Sequence, residues 1–113
     1  MLPLSDNLAA ARIAEIKLQS SAHNTANLNT DGFEGQRVSQ STGPGGEGLQ
    51  AHISPTHAPA PVILRDGQLR VLSNTELTRE AISHVEAAAA FRSNMGVMHV
   101  QDKLTEAVLE IVA

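Results

Sequence analysis

The amino-acid sequence predicts a mainly α fold in which an N-terminal and a C-terminal helix pair as a coiled coil, joined by an irregular middle segment with at most one short β-hairpin. Both end segments repeat apolar residues at spacings of three and four, as one face of a helix requires. Four of the five prolines lie between residues 44 and 61, which separates the two helical ends. We therefore divide the chain into segments 1–32, 33–72 and 73–113.

The N-terminal segment predicts a helix over about residues 4–28. Ser5 or Asp6 is the expected N-cap, because either side chain offers an oxygen to the free N–H groups of the first turn. One face of this helix carries small or apolar residues at Ala11, Ala14, Leu18, Ala22 and Thr25. A second stripe lies on roughly the opposite face, at Ala9, Ile13 and Ile16. A surface helix normally has one apolar stripe, so two stripes indicate neighbours on two sides.

The middle segment combines a glycine-rich loop with one hairpin signal. GPGGEG, at residues 43–48, predicts a loop from its composition. VILRDGQLRV, at residues 62–71, has two apolar runs on either side of Asp66-Gly67, a pair that tolerates the positive φ angles of a two-residue turn. An isolated hairpin is only marginally stable, so this one is expected to lie against another part of the molecule.

The C-terminal segment predicts a helix over about residues 74–111. Ser73 and Glu76 have capping-box spacing, with Thr75 as an alternative cap. The main stripe is Leu77, Ala81, His84, Ala88, Phe91, Met95 and Met98. A second stripe follows at Val97, Val100, Leu104, Ala107 or Val108, and Ile111. Such a helix is roughly 55 Å long, whereas a compact chain of this size has a radius of gyration of only about 13 Å. The uncovered apolar surface indicates a core that other subunits complete.

Composition argues against several classes of function. The 113 residues carry a net charge of -4, which argues against nucleic acid as a partner, because phosphate contacts need a basic surface. The absence of cysteine excludes disulfides and thiol catalysis. The first residues lack a basic region followed by a continuous apolar run, so no cleaved secretory signal is expected. No apolar run approaches the roughly 18 residues of a membrane span.

No arrangement of polar residues predicts catalysis or metal binding. His84 and His99 are too far apart on one helix to share an ion, and neither His-x3-His nor His-Glu-x-x-His occurs. The carboxylates of Glu80, Glu86 and Asp102 are expected to be solvated or paired across helices. We expect no enzymatic activity, no cofactor or metal ion, and no small-molecule substrate.

The stretch SSAHNTANLNTDGF, residues 20–33, is unusually rich in uncharged polar side chains. It lies at the predicted end of the first helix, where the last four carbonyl groups lack partners. Asparagine amides can donate to such carbonyls, and asparagine tolerates the left-handed conformation that ends a helix. The stretch is therefore either a helix cap and loop or a contact with other subunits, and the two roles are compatible.

The two ends of the chain together resemble the flagellar rod, hook and hook-associated proteins. The N-terminal signature of that family is approximately S-A-N-N-I-A-N-x-N-T-P-G-Y/F. The matching residues are Ser21, Ala22, Asn24, Ala26, Asn27, Asn29, Thr30, Gly32 and Phe33. The C-terminal signature is matched by Ser73, Asn74, Leu77, Glu80, Glu86, Ala87, Ala90, Phe91, Asn94, Val97, Asp102 and Leu104. The chain differs from the N-terminal signature at His23, Thr25 and Asp31.

The resemblance implies a structural subunit of the bacterial flagellar basal body, a rod-like axial protein that assembles through its terminal helices. It implies contacts with other rod or hook subunits or with copies of this chain. The residues expected at those contacts are Asn24, Asn27, Asn29, Thr30, Gly32, Phe33, Asn74, Glu86, Phe91, Asn94, Val97 and Leu104. The implied location is the periplasmic rod, reached through the flagellar export apparatus without a cleaved signal peptide. The alternative is a divergent small paralogue that binds rod or export components as an accessory or regulatory protein.

Overall fold

The computed structural model describes residues 4–113 and shows an elongated molecule of 78 × 28 × 14 Å. Its Cα radius of gyration is 19.8 Å, against about 13 Å for a compact chain of this length. Two helices, α1 (Leu4–Ala26) and α2 (Leu77–Val112), flank a middle segment of two antiparallel β-hairpins. The first three residues of the predicted segment 1–32 lie outside the described range. The fold is therefore mainly α, as predicted, with more β-structure than expected.

Helix α1 agrees with the predicted segment but not with its predicted cap. Ser5 and Asp6 lie inside the helix, so neither is its N-cap. Asp6 still lies in the first turn, where a negatively charged side chain interacts favourably with the helix dipole. At the other end, the N–H of Asn27 donates to the carbonyls of both His23 and Asn24, at 3.2 Å each. This bifurcated bond is typical of a helix that tightens as it ends.

Helix α2 is a single element of 36 residues, about 54 Å long. Its N-cap is Glu76, whose side chain makes no capping hydrogen bond. The Oγ of Ser73 instead accepts from the N–H of Thr75, at 3.2 Å, in the extended segment before the helix. The predicted Ser73–Glu76 capping box is therefore wrong, because Ser73 closes a local turn three residues too early.

The two helices lie antiparallel. Near one end of the pair, Asn7 Nδ2 donates to Gln101 Oε1 at 3.2 Å. Near the other end, Ser21 Oγ donates to the carbonyl of Glu80 at 3.0 Å. The part of α2 beyond about residue 104 extends past Leu4, the first described residue of α1. The reason is that Asn7 contacts Gln101 and Leu4 lies less than one turn beyond Asn7.

The surfaces that meet are smaller and more polar than the periodicity predicted. The buried residues of α1 include Asn7, Ala11, Ala14, Ser21 and Asn24, and those of α2 are Glu80 and Ala87. In the predicted main stripe of α2, Leu77, Ala81, His84 and Met95 are exposed, while Ala88, Phe91 and Met98 are half-buried. In the predicted stripe of α1, Ala22 and Thr25 are exposed. Coiled-coil packing of these helices stays a prediction.

The first hairpin was not predicted from the sequence. Strand β1 (Gln36–Thr42) pairs with β2 (Leu49–Pro55), with Val38 opposite Ile53 and Thr42 opposite Leu49. The glycine-rich loop connects them, and a Cβ on Gly43 would collide with the carbonyl oxygen of Glu47. Strand β1 was not predicted because its residues are mostly polar and lack the apolar alternation by which strands are recognised in a sequence.

The second hairpin confirms the prediction for residues 62–71. Strand β3 (Val62–Arg65) pairs with β4 (Gln68–Val71), with Val62 opposite Val71 and Leu64 opposite Leu69. Asp66 and Gly67 have φ angles of 53° and 76°. Positive φ at both central residues is the type I′ geometry that matches the twist of the flanking strands.

Little apolar side-chain volume is buried within the described chain. The buried apolar residues are Ala11, Ile13, Ala14 and Ala87, all near the centre of the helix pair. The buried polar residues are Asn7, Ser20, Ser21, Asn24, Ser73 and Glu80. Polar contacts therefore position the elements as much as apolar packing does.

Candidate functional site

Asn24 is at the centre of a polar junction that joins α1, β1 and α2. Its side chain is only 1% exposed. Asn24 Oδ1 accepts from the N–H of Gln36 and Nδ2 donates to the carbonyl of Gln36, both at 2.8 Å. The same amide also donates to Glu80 Oε1 at 3.1 Å. One asparagine thus satisfies both backbone groups of the first residue of β1 and holds the start of α2.

The sequence predicted that Glu80 is solvated or paired across helices. In the structure Glu80 is instead buried at this junction. Its carboxylate accepts the Asn24 amide, and its carbonyl accepts the Ser21 hydroxyl. Because Glu80 lies in the first turn of α2, the helix dipole favours its negative charge. Asn24, Ser21 and Glu80 all belong to the two family signatures, although only Asn24 was predicted as a contact residue.

Asn74 forms a second polar centre immediately before α2. Its Oδ1 accepts from the N–H of Gly35 at 2.7 Å, and its Nδ2 donates to Thr56 Oγ1 and to the carbonyl of Ala58, both at 3.1 Å. The N–H of Asn74 also donates to the carbonyl of Phe33 at 3.2 Å. Asn74 therefore ties the chain that leaves α1, the chain that leaves β2 and the chain that enters α2 into one unit.

The rest of the asparagine-rich stretch is more exposed. Asn27 Nδ2 donates to the carbonyl of His23 at 2.9 Å, which is the predicted capping role, and Asn27 Oδ1 accepts from Thr30 Oγ1 at 3.1 Å. Asn29 is exposed. Gly32 has a φ of 73° and its N–H donates to the carbonyl of Val71 at 2.8 Å, which attaches the turn to the second hairpin. Thus Asn27 caps the helix, while Gly32 makes a contact that no sequence pattern indicated.

Phe33 packs its ring against a residue that departs from the family signature. The rings of His23 and Phe33 are 5.4 Å apart, centre to centre, and meet edge to face at 67°. Asp31, where the signature has proline, has its Oδ2 3.8 Å from the guanidinium nitrogens of both Arg65 and Arg70. Both departures therefore make contacts within this chain.

The predicted contact residues of α2 divide by exposure. Phe91 and Asn94 are half-buried, and Asn94 Nδ2 donates to the carbonyl of Ala90 at 2.8 Å within the helix. Glu86, Val97 and Leu104 are exposed. The polar junction does not include any of these five residues, so the predicted set separates into a junction group and a group along α2.

A polar groove of about 210 Å³ opens beside the junction. Three cationic side chains, Lys17, Arg37 and Arg79, line it together with Glu80 and Glu86. The hydroxyl of Ser20 is also at its wall, buried and without a hydrogen-bond partner. Within residues 4–113 no cluster of three or more histidine or acidic residues is placed to hold a metal ion. Across the same residues, neither helix is apolar enough over a sufficient length to cross a membrane.

Several groups of large apolar side chains are uncovered among residues 4–113. One is Leu77, Ile82 and Val85 near the start of α2, and two others contain four or five side chains each. The first of these two, which we call the α2 stripe, follows one face of the helix through Val97, Val100, Leu104, Val108 and Ile111. The second, which we call the hairpin face, consists of Val62, Leu64, Leu69 and Val71. The α2 stripe was predicted from the sequence, whereas the exposure of the hairpin face was not. Uncovered apolar surfaces of this kind mark interaction sites.

No protein-family model matches this chain, and no curated protein shows significant similarity to it. The resemblance to the flagellar axial proteins therefore depends on the signature residues at the two ends.

Proposed function

We propose that this protein is a structural subunit of the bacterial flagellar basal body, a rod-like axial protein that assembles through its terminal helices. The proposal includes coiled-coil pairing of those helices with each other and with neighbouring subunits. Its partners would be other rod or hook subunits or copies of this chain. Its place would be the periplasmic rod, reached through the flagellar export apparatus without a cleaved signal peptide.

The observation that carries the proposal is that signature residues from the two ends meet. Asn24 and Ser21, from the N-terminal signature, both hydrogen bond to Glu80, from the C-terminal signature. The carbonyl of Phe33 and the N–H of Asn74 make a further contact of this kind. Residues that match the family pattern thus have a physical role in this chain, which is to join its ends.

The uncovered α2 stripe supports assembly rather than a free monomer. Leu104 is 52% exposed and Ile111 is 83% exposed, although both are large apolar residues. Each Å² of apolar surface removed from water contributes about 25 cal/mol. The stripe spans about 21 Å from Val97 to Ile111 and fits the side of another helix, so packed neighbouring subunits would bury it.

The proposal is tested by quantitative mass spectrometry of hook–basal bodies purified from the source organism, with the soluble lysate measured in parallel. Recovery of this chain in a fixed ratio to the other rod subunits is the expected result. Absence from the basal bodies together with abundance in the lysate would contradict it. That outcome would favour the accessory or regulatory paralogue, and capture of its rod or export partners would then be the next measurement.

A further inference from the structure

The polar groove beside the junction carries an excess of positive charge in a chain that is acidic overall. Lys17, Arg37 and Arg79 line it together with two acids, Glu80 and Glu86, which gives +1 for its side chains. The whole chain carries -4. Among residues 4–113 no ion pair joins either of these acids to any of the three cations. The acids of the groove therefore leave its cations unpaired.

The junction places the two arginines at the groove. Asn24 binds both backbone groups of Gln36, at 2.8 Å each, and Arg37 is the next residue of β1. Asn24 also binds the carboxylate of Glu80, at 3.1 Å, and Arg79 is the preceding residue of α2. One buried amide thus holds a residue adjacent to each arginine, so the two arginines are positioned from both sides of α1.

The three cations have weak partners or none within the described chain. Lys17 Nζ lies 3.4 Å from Gln40 Oε1, which is a neutral acceptor. Arg79 Nε lies 3.8 Å from Glu76 Oε2, and both of these side chains are more than half exposed. The side chain of Arg37 makes no ion pair or hydrogen bond with residues 4–113. Exposed contacts of this kind contribute little to stability, so a ligand can displace them easily.

A buried hydroxyl at the wall of the groove lacks a partner. Ser20 is 7% exposed, and its Oγ makes no hydrogen bond within the described chain. The neighbouring Ser21, by contrast, donates to the carbonyl of Glu80 at 3.0 Å. Buried hydroxyls without partners are uncommon in proteins, because their desolvation is unfavourable. An anion in the groove would accept from the hydroxyl of Ser20 and satisfy it.

We propose that this groove is a binding site for an oxoanion, either a phosphate or a carboxylate group. Arginine side chains match the paired oxygen atoms of both groups, and lysine adds a point charge. The groove has a volume of about 210 Å³, against about 30 Å³ for one water molecule, so a group of several heavy atoms fits. The anion is either free in solution or an acidic side chain of a second copy. The site belongs to the isolated chain, so it does not depend on the proposed rod function.

The test is a titration of the full-length, isotope-labelled chain with inorganic phosphate and, separately, with citrate, at constant ionic strength. NMR chemical shifts of the amides of Ser20, Arg37 and Ser83 report on the groove. We expect these shifts to saturate, and Arg37→Gln to weaken binding at least about five-fold. Arg92→Gln is the matched control, since it removes the same charge from an exposed site of α2 outside the groove. It should weaken binding by no more than about two-fold.

Ser20→Ala is a second test that leaves the charge of the groove unchanged. The substitution removes a buried polar group that has no partner, so the free energy of unfolding should not fall. Phosphate affinity should fall by about three-fold, because a donor to the anion is lost. Urea denaturation followed by circular dichroism checks the fold and stability of each variant. A loss of affinity without a loss of stability separates a ligand contact from a structural role.

A dilution series without added phosphate or citrate identifies the source of the anion. Groove shifts that depend on protein concentration and are reversed by phosphate would assign the site to an acidic side chain of a second copy. Phosphate shifts that are independent of protein concentration would assign it to a free ion. Either result supports the site.

Two other results would overturn the inference. Equal phosphate affinities of the wild-type chain and Arg37→Gln, or equal losses in Arg37→Gln and Arg92→Gln, would show an adventitious ion only. Groove signals that do not move in any titration would show that no anion binds. Recovery of the wild-type chain in basal bodies is a separate measurement, so the proposed function stands or fails independently of this site.

Discussion

At the residue scale, two asparagines, Asn24 and Asn74, join segments that lie far apart in the chain. Asn24 makes three hydrogen bonds to β1 and α2, and Asn74 makes three to the loops around β1 and β2. In a chain whose buried apolar residues are mostly alanines, such fully satisfied polar groups specify the arrangement of the elements. The assembly role expected for Asn24 and Asn74 stays a prediction, and their partners within the chain were not predicted from the sequence.

We expect Asn24→Ala to lower the free energy of unfolding by about 3 kcal/mol, because it leaves the buried Glu80 carboxylate and the part-buried backbone groups of Gln36 without their hydrogen-bond partner. The measurement is urea denaturation followed by circular dichroism. Asn29→Ala is the control, since Asn29 is exposed, and it should change the free energy by no more than about 0.5 kcal/mol. Equal effects of the two substitutions would show that the junction does not stabilise the isolated chain.

Two glycines with different backbone angles give a second test at this scale. Gly96 lies in α2 with no atom near its missing Cβ, so Gly96→Ala should stabilise the chain by about 1 kcal/mol. Gly32 also has open space, but its φ is 73°, so Gly32→Ala should destabilise the chain by about 1 kcal/mol. Both are measured by urea denaturation. A stabilising effect of Gly32→Ala would contradict the left-handed conformation assigned to the turn.

At the element scale, both helices and the second hairpin follow from local sequence signals, but the ends and faces of the helices do not. The start of α2 is delayed to Leu77 because Ser73 and Asn74 are engaged in contacts with the middle segment. The buried residues of α2 are Glu80 and Ala87, whereas the predicted stripe is half-buried at Ala88, Phe91 and Met98 and exposed at its N-terminal members Leu77, Ala81 and His84. Periodicity predicts that stripes exist, but it cannot choose among several of them.

We expect backbone amide exchange to differ along α2. Amides of residues 80–98, which lie beside α1, should exchange slowly. Amides of residues 105–112, whose side chains are all exposed, should exchange at least about ten-fold faster, because local opening there breaks few contacts. Hydrogen–deuterium exchange with mass spectrometry at low protein concentration measures this. Uniform protection along α2 would indicate that the isolated chain already covers its C-terminal part.

At the scale of the whole molecule, the greater length of α2 relative to α1 explains why apolar surface on α2 is uncovered. An antiparallel pair with helices of 23 and 36 residues leaves part of the longer helix beyond the described part of the shorter one. The first hairpin packs beside α1, the middle segment is tied by hydrogen bonds to Asn74 just before α2, and the α2 stripe stays uncovered. The molecule therefore has the form expected of a subunit whose remaining contacts are with neighbours.

We expect Leu104→Asp to leave the isolated chain folded and to prevent its incorporation into basal bodies. Leu104 is half exposed in the monomer, but a charge there could not be buried unpaired between subunits. His99→Asp is the matched control, since it adds the same charge to an exposed site of α2 away from the stripe. The measurement is the amount of each variant in purified basal bodies, with circular dichroism as the test of folding. Normal incorporation of Leu104→Asp would exclude the α2 stripe from assembly.

The sequence by itself determined the two helical ends, the Asp66-Gly67 hairpin and the surplus of apolar surface on α2. These properties depend on residues three or four apart or on the φ angles of two adjacent residues, so they can be predicted locally. The tertiary structure decided which helix faces are buried, that polar residues 36–42 form a strand, and that the second hairpin turns its apolar face outward. These outcomes depend on partners far apart in the chain. Asn24 is satisfied by groups 12 and 56 residues away, and Arg65 and Arg70 face Asp31 across the fold.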